Sequence, residues 1–460
     1  MGRSMSLKTG KLLLAALSLT AAARAQDSVE VKYKGAAWFQ GGRVMNSTDS
    51  LVNGGGPNNM NGNWIEAAGV QVSSVAKLSP KWEGAMGMGA LQTHNARGDI
   101  SVANNWYPYW VTFVSEARLT YTLPIAETQK LQVNLGFFPY NYNPDVKDLG
   151  LYLLRGYVYP GTPISGFEAR GTTPAANIFG GMLSYSIGPF KFDELIISET
   201  DNRPYFDISL ASVATWTPGP AFQMGLGLNQ YRAIARDPGN TSPGKDCKNE
   251  VSGYAQIDPD KGKGFNEICY VLDTLVMATA TDSAKVDTVL GSLAGTKLMA
   301  RARLDFKALL GLEGGLGKQD LVLYGELGVL GIEDRKKYYT DIKRRMPLMI
   351  GFNLPAFGLA DKLSIEVEYY ASKNFADYGK SETSYSWVPR VVPEADNARD
   401  DIKWAFYYSK IVMGHLRLSG QIANDHLRMF GPPDIGFLSY AETLTTPKDW
   451  YLMFKSTYFF

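Results

Sequence analysis

The sequence predicts an all-β protein, one antiparallel up-and-down β-barrel of about 16 strands, within a range of 14 to 18, that crosses a membrane with its strands. Three observations predict it. The chain opens on a secretory leader, and no long apolar run follows it. Segments of about ten residues then alternate apolar and polar side chains from end to end. The connections between those segments alternate between short turns and long loops.

The leader is "MGRSMSLKTGKLLLAALSLTAAARAQ". Arg3, Lys8 and Lys11 form a basic start, Leu12 to Ala23 an apolar run, and Ala23-Arg24-Ala25 an A-x-A cleavage pattern before Gln26. An anchoring helix needs roughly 18 or more apolar residues, more than this run supplies. Residues 1–25 are therefore expected to be a cleaved signal peptide and 26–460 a single barrel domain outside the cytoplasm. Cleavage removes four basic residues and no acidic ones, leaving 42 Lys+Arg against 45 Asp+Glu, a net charge of −3. That balance argues against a nucleic-acid partner. The remaining 435 residues show no Pro/Ser linker, no composition break and no repeat of fixed period.

Taken in order, the alternating segments are 29–40, 64–77, 81–93, 109–123, 131–138, 177–187, 190–199, 205–216, 220–235, 296–311, 319–333, 345–355, 362–372, 401–412, 414–427 and 449–460. "KLMARARLDFKALL" sets Leu298, Ala300, Ala302, Leu304 and Phe306 against Lys297, Arg301, Arg303, Asp305 and Lys307. "DKLSIEVEYYAS" sets Leu363, Ile365, Val367 and Tyr369 against Lys362, Ser364, Glu366 and Glu368. Charged residues in a dry core would each need a partner, whereas a water-filled lumen accepts them. Short connections such as "SPK", "GP", "TPGP", "GLADK" and "MG" interleave with long ones at 41–63, 139–176, 236–295, 373–400 and 428–448; the short "TDNRP" falls on the long-loop side.

The chain ends "DWYLMFKSTYFF", with six aromatics in twelve residues. Together the leader, the even strand number and this terminus resemble a Gram-negative outer-membrane β-barrel of the porin-like kind. The resemblance implies that Phe454, Tyr458 and Phe460 belong to a terminal signal read by a barrel-assembly machinery. Lys455 departs from the pattern, standing where that family often has Gly. It also implies an outer-membrane location, with outer-membrane lipid as a partner and self-association as a further one. The scaffold by itself carries many functions.

Two functional classes follow. One is a channel for passive diffusion of small hydrophilic solutes, since around sixteen strands leave an aqueous lumen. The other is a surface binding or adhesion barrel, holding polysaccharide or a partner protein through loops such as "NWYPYW", "YPYNYNP" and "SYSWVPR". For the channel, the expected wall residues are Lys297, Arg301, Arg303, Lys307, Glu326, Glu366, Glu368 and Arg417. Basic and acidic ladders then face the same water, with a modest anion preference, unless Arg301 and Arg303 pair across strands with Glu326.

The 139–176 connection is too apolar to be solvated throughout, because Leu149, Leu151, Tyr152, Leu153 and Leu154 crowd together. "PDVKDLGLYLLRG" reads as a short helix, with Pro144 early, Asp145 and Asp148 near its amino end and Gly156 as a stop. In porins the third loop commonly folds into the barrel, which makes Asp145, Lys147, Asp148 and Arg155 the expected constriction residues. Cys247 and Cys269, the only cysteines, share the long 236–295 loop in an oxidising compartment and are expected to form a disulfide.

Other motifs are weak. Arg97-Gly98-Asp99 is a tripeptide that recurs by chance, and "DPDKGKGFNEIC" places Lys263 and Cys269 where a calcium loop needs Gly and Glu. The three histidines, His94, His415 and His426, offer no nucleophile and base pair, since His426 and its neighbour Asp425 point to opposite faces of a strand. Neither catalysis, nor a cofactor, nor a metal is expected.

Overall fold

In the computed structural model the described residues are 29–47, 50–52, 57–59, 61–62, 64–95, 109–154, 176–200, 206–234, 256–257, 267–272, 287–292, 294–312, 314–333, 341–370, 401–427, 444 and 446–460. Sixteen antiparallel strands close into one barrel. They are β1 Glu30–Asn46, β2 Trp64–Lys77, β3 Trp82–Asn95, β4 Tyr109–Ala126, β5 Gln129–Tyr140, β6 Ala176–Ile187, β7 Phe190–Ser198 and β8 Ile208–Gly219 in the first half. The second half holds β9 Phe222–Ile234, β10 Gly295–Asp305, β11 Val322–Val329, β12 Leu348–Asn353, β13 Lys362–Tyr369, β14 Ile402–Val412, β15 Leu416–Asn424 and β16 Trp450–Phe459. Each strand pairs with its sequence neighbours, and β1 pairs with both β2 and β16, which removes every free edge.

The terminal aromatics find their place at this seam. Phe460 exchanges backbone hydrogen bonds with Gly35, at 2.7 and 3.0 Å. Phe454, Tyr458 and Phe460 point outward and are half exposed, while Lys455 points inward, its ammonium 5.7 Å from the Trp38 ring centre. The position that departs from the family pattern is thus a lumen position. Gly35 has a physical reason to be glycine, because a Cβ there would lie 2.1 Å from the Phe460 ring.

Side-chain parity holds around the barrel. Tyr33, Phe39, Leu135, Ile196, Leu226, Ile350, Val367 and Leu452 are outward and exposed, an apolar band on every part of the wall. Among the described residues no helix is long and apolar enough to cross a membrane, a statement that does not bear on strands.

The expected segments differ from the observed strands in two places that matter. The segment 296–311 stops being a strand at Asp305, whose carboxylate accepts from the backbone N–H groups of Lys307 and Ala308 and caps helix α1, Phe306–Leu310. Gly311, at φ 61°, ends it. Lys307 therefore leaves the ladder of β10, and its ammonium donates to the Gly317 and Lys318 carbonyls at 2.7 Å instead of facing the lumen. The second difference is that "PDVKDLGLYLLRG" forms no helix within its described part and turns repeatedly up to Leu154. Gly150 and Leu151 both have positive φ, 88° and 60°, which interrupts any helix there.

Within the 236–295 loop, residues 256–257, 267–272 and 287–292 form a small separate sheet in which Cys269 pairs in register with Gln256 and Leu290. Cys247 lies outside the described residues, and so does the expected disulfide. The leader, Arg97-Gly98-Asp99, Arg155 and Asp258 to Asp260 also fall outside them.

Candidate functional site: two segments folded into the lumen

Strands β10, β11 and β13 turn their polar faces inward, and Arg301 stands opposite Glu326 in the register of β10 and β11. Two of the inward carboxylates collect donors from a segment that crosses the lumen. Glu366 accepts from the backbone N–H of Lys147 at 2.7 Å, from those of Asp148 and Leu149 at 2.9 Å, and from the Tyr324 hydroxyl at 2.7 Å. Glu326 accepts from the Tyr142 hydroxyl and the Tyr152 N–H at 2.7 Å, and from the Asn143 amide at 2.8 Å. These bonds explain why the segment is not helical: its N–H groups are given to carboxylates on the wall, about 200 residues away in sequence, rather than to carbonyls four residues back.

The apolar side of the segment is covered at the same time. Tyr142, Val146, Leu149, Leu151, Tyr152 and Leu153 are buried against inward residues of the wall, among them Phe138, Tyr140, Leu195, Val213, Met299, Tyr324 and Met349. A hydrophobic core thus sits inside the barrel, on one side of its lumen. Close approach requires small wall residues. At Gly328 a Cβ would lie 2.7 Å from the Tyr152 Cβ, so Gly328→Val should displace Tyr152 and lower stability by about 1–3 kcal/mol. The check is the temperature at which the folded form loses its fast gel mobility, which should fall; an unchanged midpoint contradicts the packing.

Charges bind the segment as well. The Arg303 guanidinium meets Asp145 at 3.3 Å and Asp305 at 3.1 Å, and the Lys362 ammonium donates to the Asp145 carbonyl at 2.7 Å. The Lys147 ammonium donates to the Pro144 carbonyl at 3.1 Å.

The described residues just after β15 and just before β16, 425–427 and 444, are also packed inside the barrel. Lys403 donates to the Leu444 carbonyl at 2.6 Å, and Leu444 is buried with Val44, Ile65, Ala405, Ala423, Leu427, Tyr451 and Met453. Glu368 joins these residues to the first segment, receiving the Tyr152 hydroxyl at 2.6 Å on one oxygen and facing His426 Nε2 at 2.5 Å with the other. Asp425 accepts from the Tyr451 hydroxyl at 2.7 Å. Burial and the Asp148 carboxylate beside it push the Asp425 carboxyl well above the usual carboxylate range.

The sequence-predicted wall residues therefore separate by environment. Glu326, Glu366 and Glu368 are sealed beneath the segments. Lys297 is covered too, with its ammonium 4.9 Å from the Tyr231 ring centre. Arg301 is buried and donates to Gln223 at 2.7 Å and Thr215 at 3.1 Å, and Arg303 pairs with Asp145 and Asp305, so the partners of both arginines lie elsewhere than the expected Glu326. Arg303 and Lys147 keep partial exposure. Arg417 lies near the short-turn end, its guanidinium 5.0 Å from the Phe459 ring centre. Of the constriction residues, Asp145, Lys147 and Asp148 lie in the inward segment. Sequence reasoning missed Tyr142, Asn143, Tyr152 and Tyr324 as the partners of the glutamates; the inward parity of Glu326 and Glu366 on otherwise apolar strands was the available signal. His426 is satisfied by Glu368 rather than by its neighbour Asp425.

No protein-family model and no curated protein matches the sequence. Among solved structures, engineered variants of the porin of Rhodopseudomonas blastica are similar to the chain. One is 8% identical over 94% of this chain and 100% of that one, with a TM-score of 0.42. A second, with the same coverage, is 9% identical at a TM-score of 0.40. A third is 8% identical at 0.40, again with the same coverage.

Proposed function

We propose that this protein is an outer-membrane channel for passive diffusion of small hydrophilic solutes, narrowed by the inward segment 141–154. The carrying observation is a closed sixteen-stranded wall, apolar outside, whose interior is lined by charged and polar groups and crossed by a segment bonded to that wall. Sixteen strands enclose more space than side chains alone fill, and the inward segments occupy one part of it. The outward band supports lipid as the surrounding medium, after removal of residues 1–25. The outward Phe454, Tyr458 and Phe460 fit a terminal signal for a barrel-assembly machinery, and self-association through the outer face is compatible with the same surface.

In this reading the solute meets Arg303 and Lys147 at the narrowest level, with the buried Asp145 paired to Arg303 behind them. Glu326, Glu366, Asp148 and the covered Lys297 and Arg301 act from behind as anchors or as fixed charge. Arg417 adds positive charge toward the short-turn mouth. With the acidic ladder engaged by backbone N–H groups, the exposed balance at the narrow level favours anions modestly.

Planar-bilayer recording tests both parts. Ohmic single-channel steps are expected, and in a salt gradient the reversal potential should indicate anion preference that shrinks in Arg303→Ala. Silence in a folded preparation sinks the channel and favours the surface-binding alternative. A cation-selective wild type, or a variant with an unshifted potential, sinks the assignment of Arg303.

A further inference from the structure

The short-turn end of the barrel is not uniform around its rim. On the arc from β3 to β9 the last outward residues are aromatic and in contact with one another: Trp82 tilted against Tyr121 at 4.7 Å between ring centres, Phe190 stacked on Trp216 at 6.4 Å, and Trp216 edge-on to Phe222 at 6.0 Å. The turns below them are short and, apart from Leu78 at 47% exposure, carry residues such as Ser79, Lys81, Glu127, Gly188 and Pro189. Aromatic belts of this kind mark the level where hydrocarbon gives way to headgroups.

On the arc from β10 to β15 the apolar surface continues past the strands into the turns themselves. Leu309 and Leu310 of α1 and Leu312 just after it are exposed, as are Phe357 and Leu359 in the 354–361 turn, with Leu359 80% exposed. Met413, in the turn between β14 and β15, is 92% exposed. Six large apolar side chains thus stand on three successive turns, in line with the outward band above them. Three leucines beside a helix cap are more than a water-facing turn needs.

A basic residue on the same arc fixes the level. Lys410 starts on the outer face of β14 and reaches toward the rim, where its ammonium donates to the Gly358 carbonyl and lies 3.7 Å from Asp361. A lysine that lays its stem along apolar surface and brings its charge to a polar plane is the behaviour expected at a lipid interface. Phe357 and Leu359 flank the carbonyl that receives it.

From this continuity with the lipid-facing band we infer that the β10–β15 turns are an interfacial anchor, with Leu309, Leu310, Leu312, Phe357, Leu359 and Met413 seated in the phospholipid leaflet at the short-turn end. The barrel then sits asymmetrically, deeper on this arc than on the aromatic one. The inference rests on the membrane reading above and adds the lipid contact of turns that a barrel of uniform depth would leave in water. Leucine-rich turns in place of aromatic girdle residues achieve the same burial by reaching further into the interface.

The test uses the full barrel carrying Cys247→Ser and Cys269→Ser, with one fluorophore-labelled cysteine at a time, reconstituted in phosphatidylcholine vesicles. The probe positions are Leu310→Cys, Leu359→Cys and Met413→Cys, with Ser79→Cys as the control on the opposite arc and Leu226→Cys as the control in the outward band. Quenching is read with a lipid spin-labelled near its headgroup and with aqueous iodide. Rim probes at 310, 359 and 413 should be quenched at least about twofold more by the spin-labelled lipid than the probe at 79, and correspondingly less by iodide. Iodide quenching equal to that at 79, with the probe at 226 still quenched by lipid, overturns the anchor and leaves the membrane reading intact. Shielding of the rim probes from both quenchers means that a protein or a second copy covers the patch, which also overturns it. Absence of lipid quenching at 226 overturns the membrane reading itself.

Discussion

Deletion of residues 145–165 should raise single-channel conductance severalfold and relax the size cutoff in liposome swelling. The described part of that stretch carries Val146, Leu149, Leu151, Tyr152 and Leu153, which fill the lumen against the inner faces of the wall. Removing them widens the aqueous cross-section on that side. It also uncovers Glu326, Glu366 and Glu368 along with Lys297, Arg301 and Lys362, so the wall gains three carboxylates and three cations. The exposed inner wall, including Leu195, Val213 and Met349, faces water at a cost of roughly 25 cal/mol per Å² of apolar surface, so some loss of thermal stability accompanies the gain. A variant that shows heat-modifiable folding with wild-type conductance and cutoff shows that this segment does not set the passage.

Glu366→Ala isolates the latch from the loop it holds. Four donors lose their acceptor at once: the N–H groups of Lys147, Asp148 and Leu149 and the Tyr324 hydroxyl. Each buried donor left unsatisfied costs roughly 1–3 kcal/mol, and together they exceed the local stability of a segment without regular secondary structure. The segment should detach while the closed ladder of strands persists, because no strand-to-strand hydrogen bond is lost. Expected results are noisy, larger conductance steps and new protease sensitivity between residues 141 and 154. Glu366→Gln keeps one carbonyl oxygen as acceptor and should fall between wild type and Glu366→Ala. Quiet, wild-type steps from Glu366→Ala would remove Glu366 from the role of latch.

Much of the barrel was legible because it is local. Period-two alternation in "KLMARARLDFKALL" and "DKLSIEVEYYAS" places Leu298 or Ile365 outward and Arg301 or Glu366 inward wherever the strand is, since successive side chains must alternate. The sixteen segments read from the sequence correspond one to one with the strands, and the parity of the last twelve residues explains both the outward aromatics and the inward Lys455. Where the reading failed, a local competitor decided. Asp305 offers its carboxylate to the next turn, so β10 becomes α1 and takes Lys307 out of the ladder.

Environment was not legible. Parity says that Lys297, Arg301, Glu326 and Glu366 point inward, and an empty lumen makes all of them water-facing. Whether they meet water depends on what else occupies the lumen, and that is settled by contacts such as Lys147 to Glu366, 219 residues apart. The same contacts overrule the helical appearance of "PDVKDLGLYLLRG", because N–H groups that find carboxylates across the barrel have no need of carbonyls in their own chain. By itself the sequence determined the strands, their faces, the outward apolar band and the terminal seam, all consequences of a two-residue period and of turn chemistry. Only the tertiary structure decided which inward charges are anchors and which remain open to the lumen, because burial is a property of the whole enclosure and not of any segment that lines it.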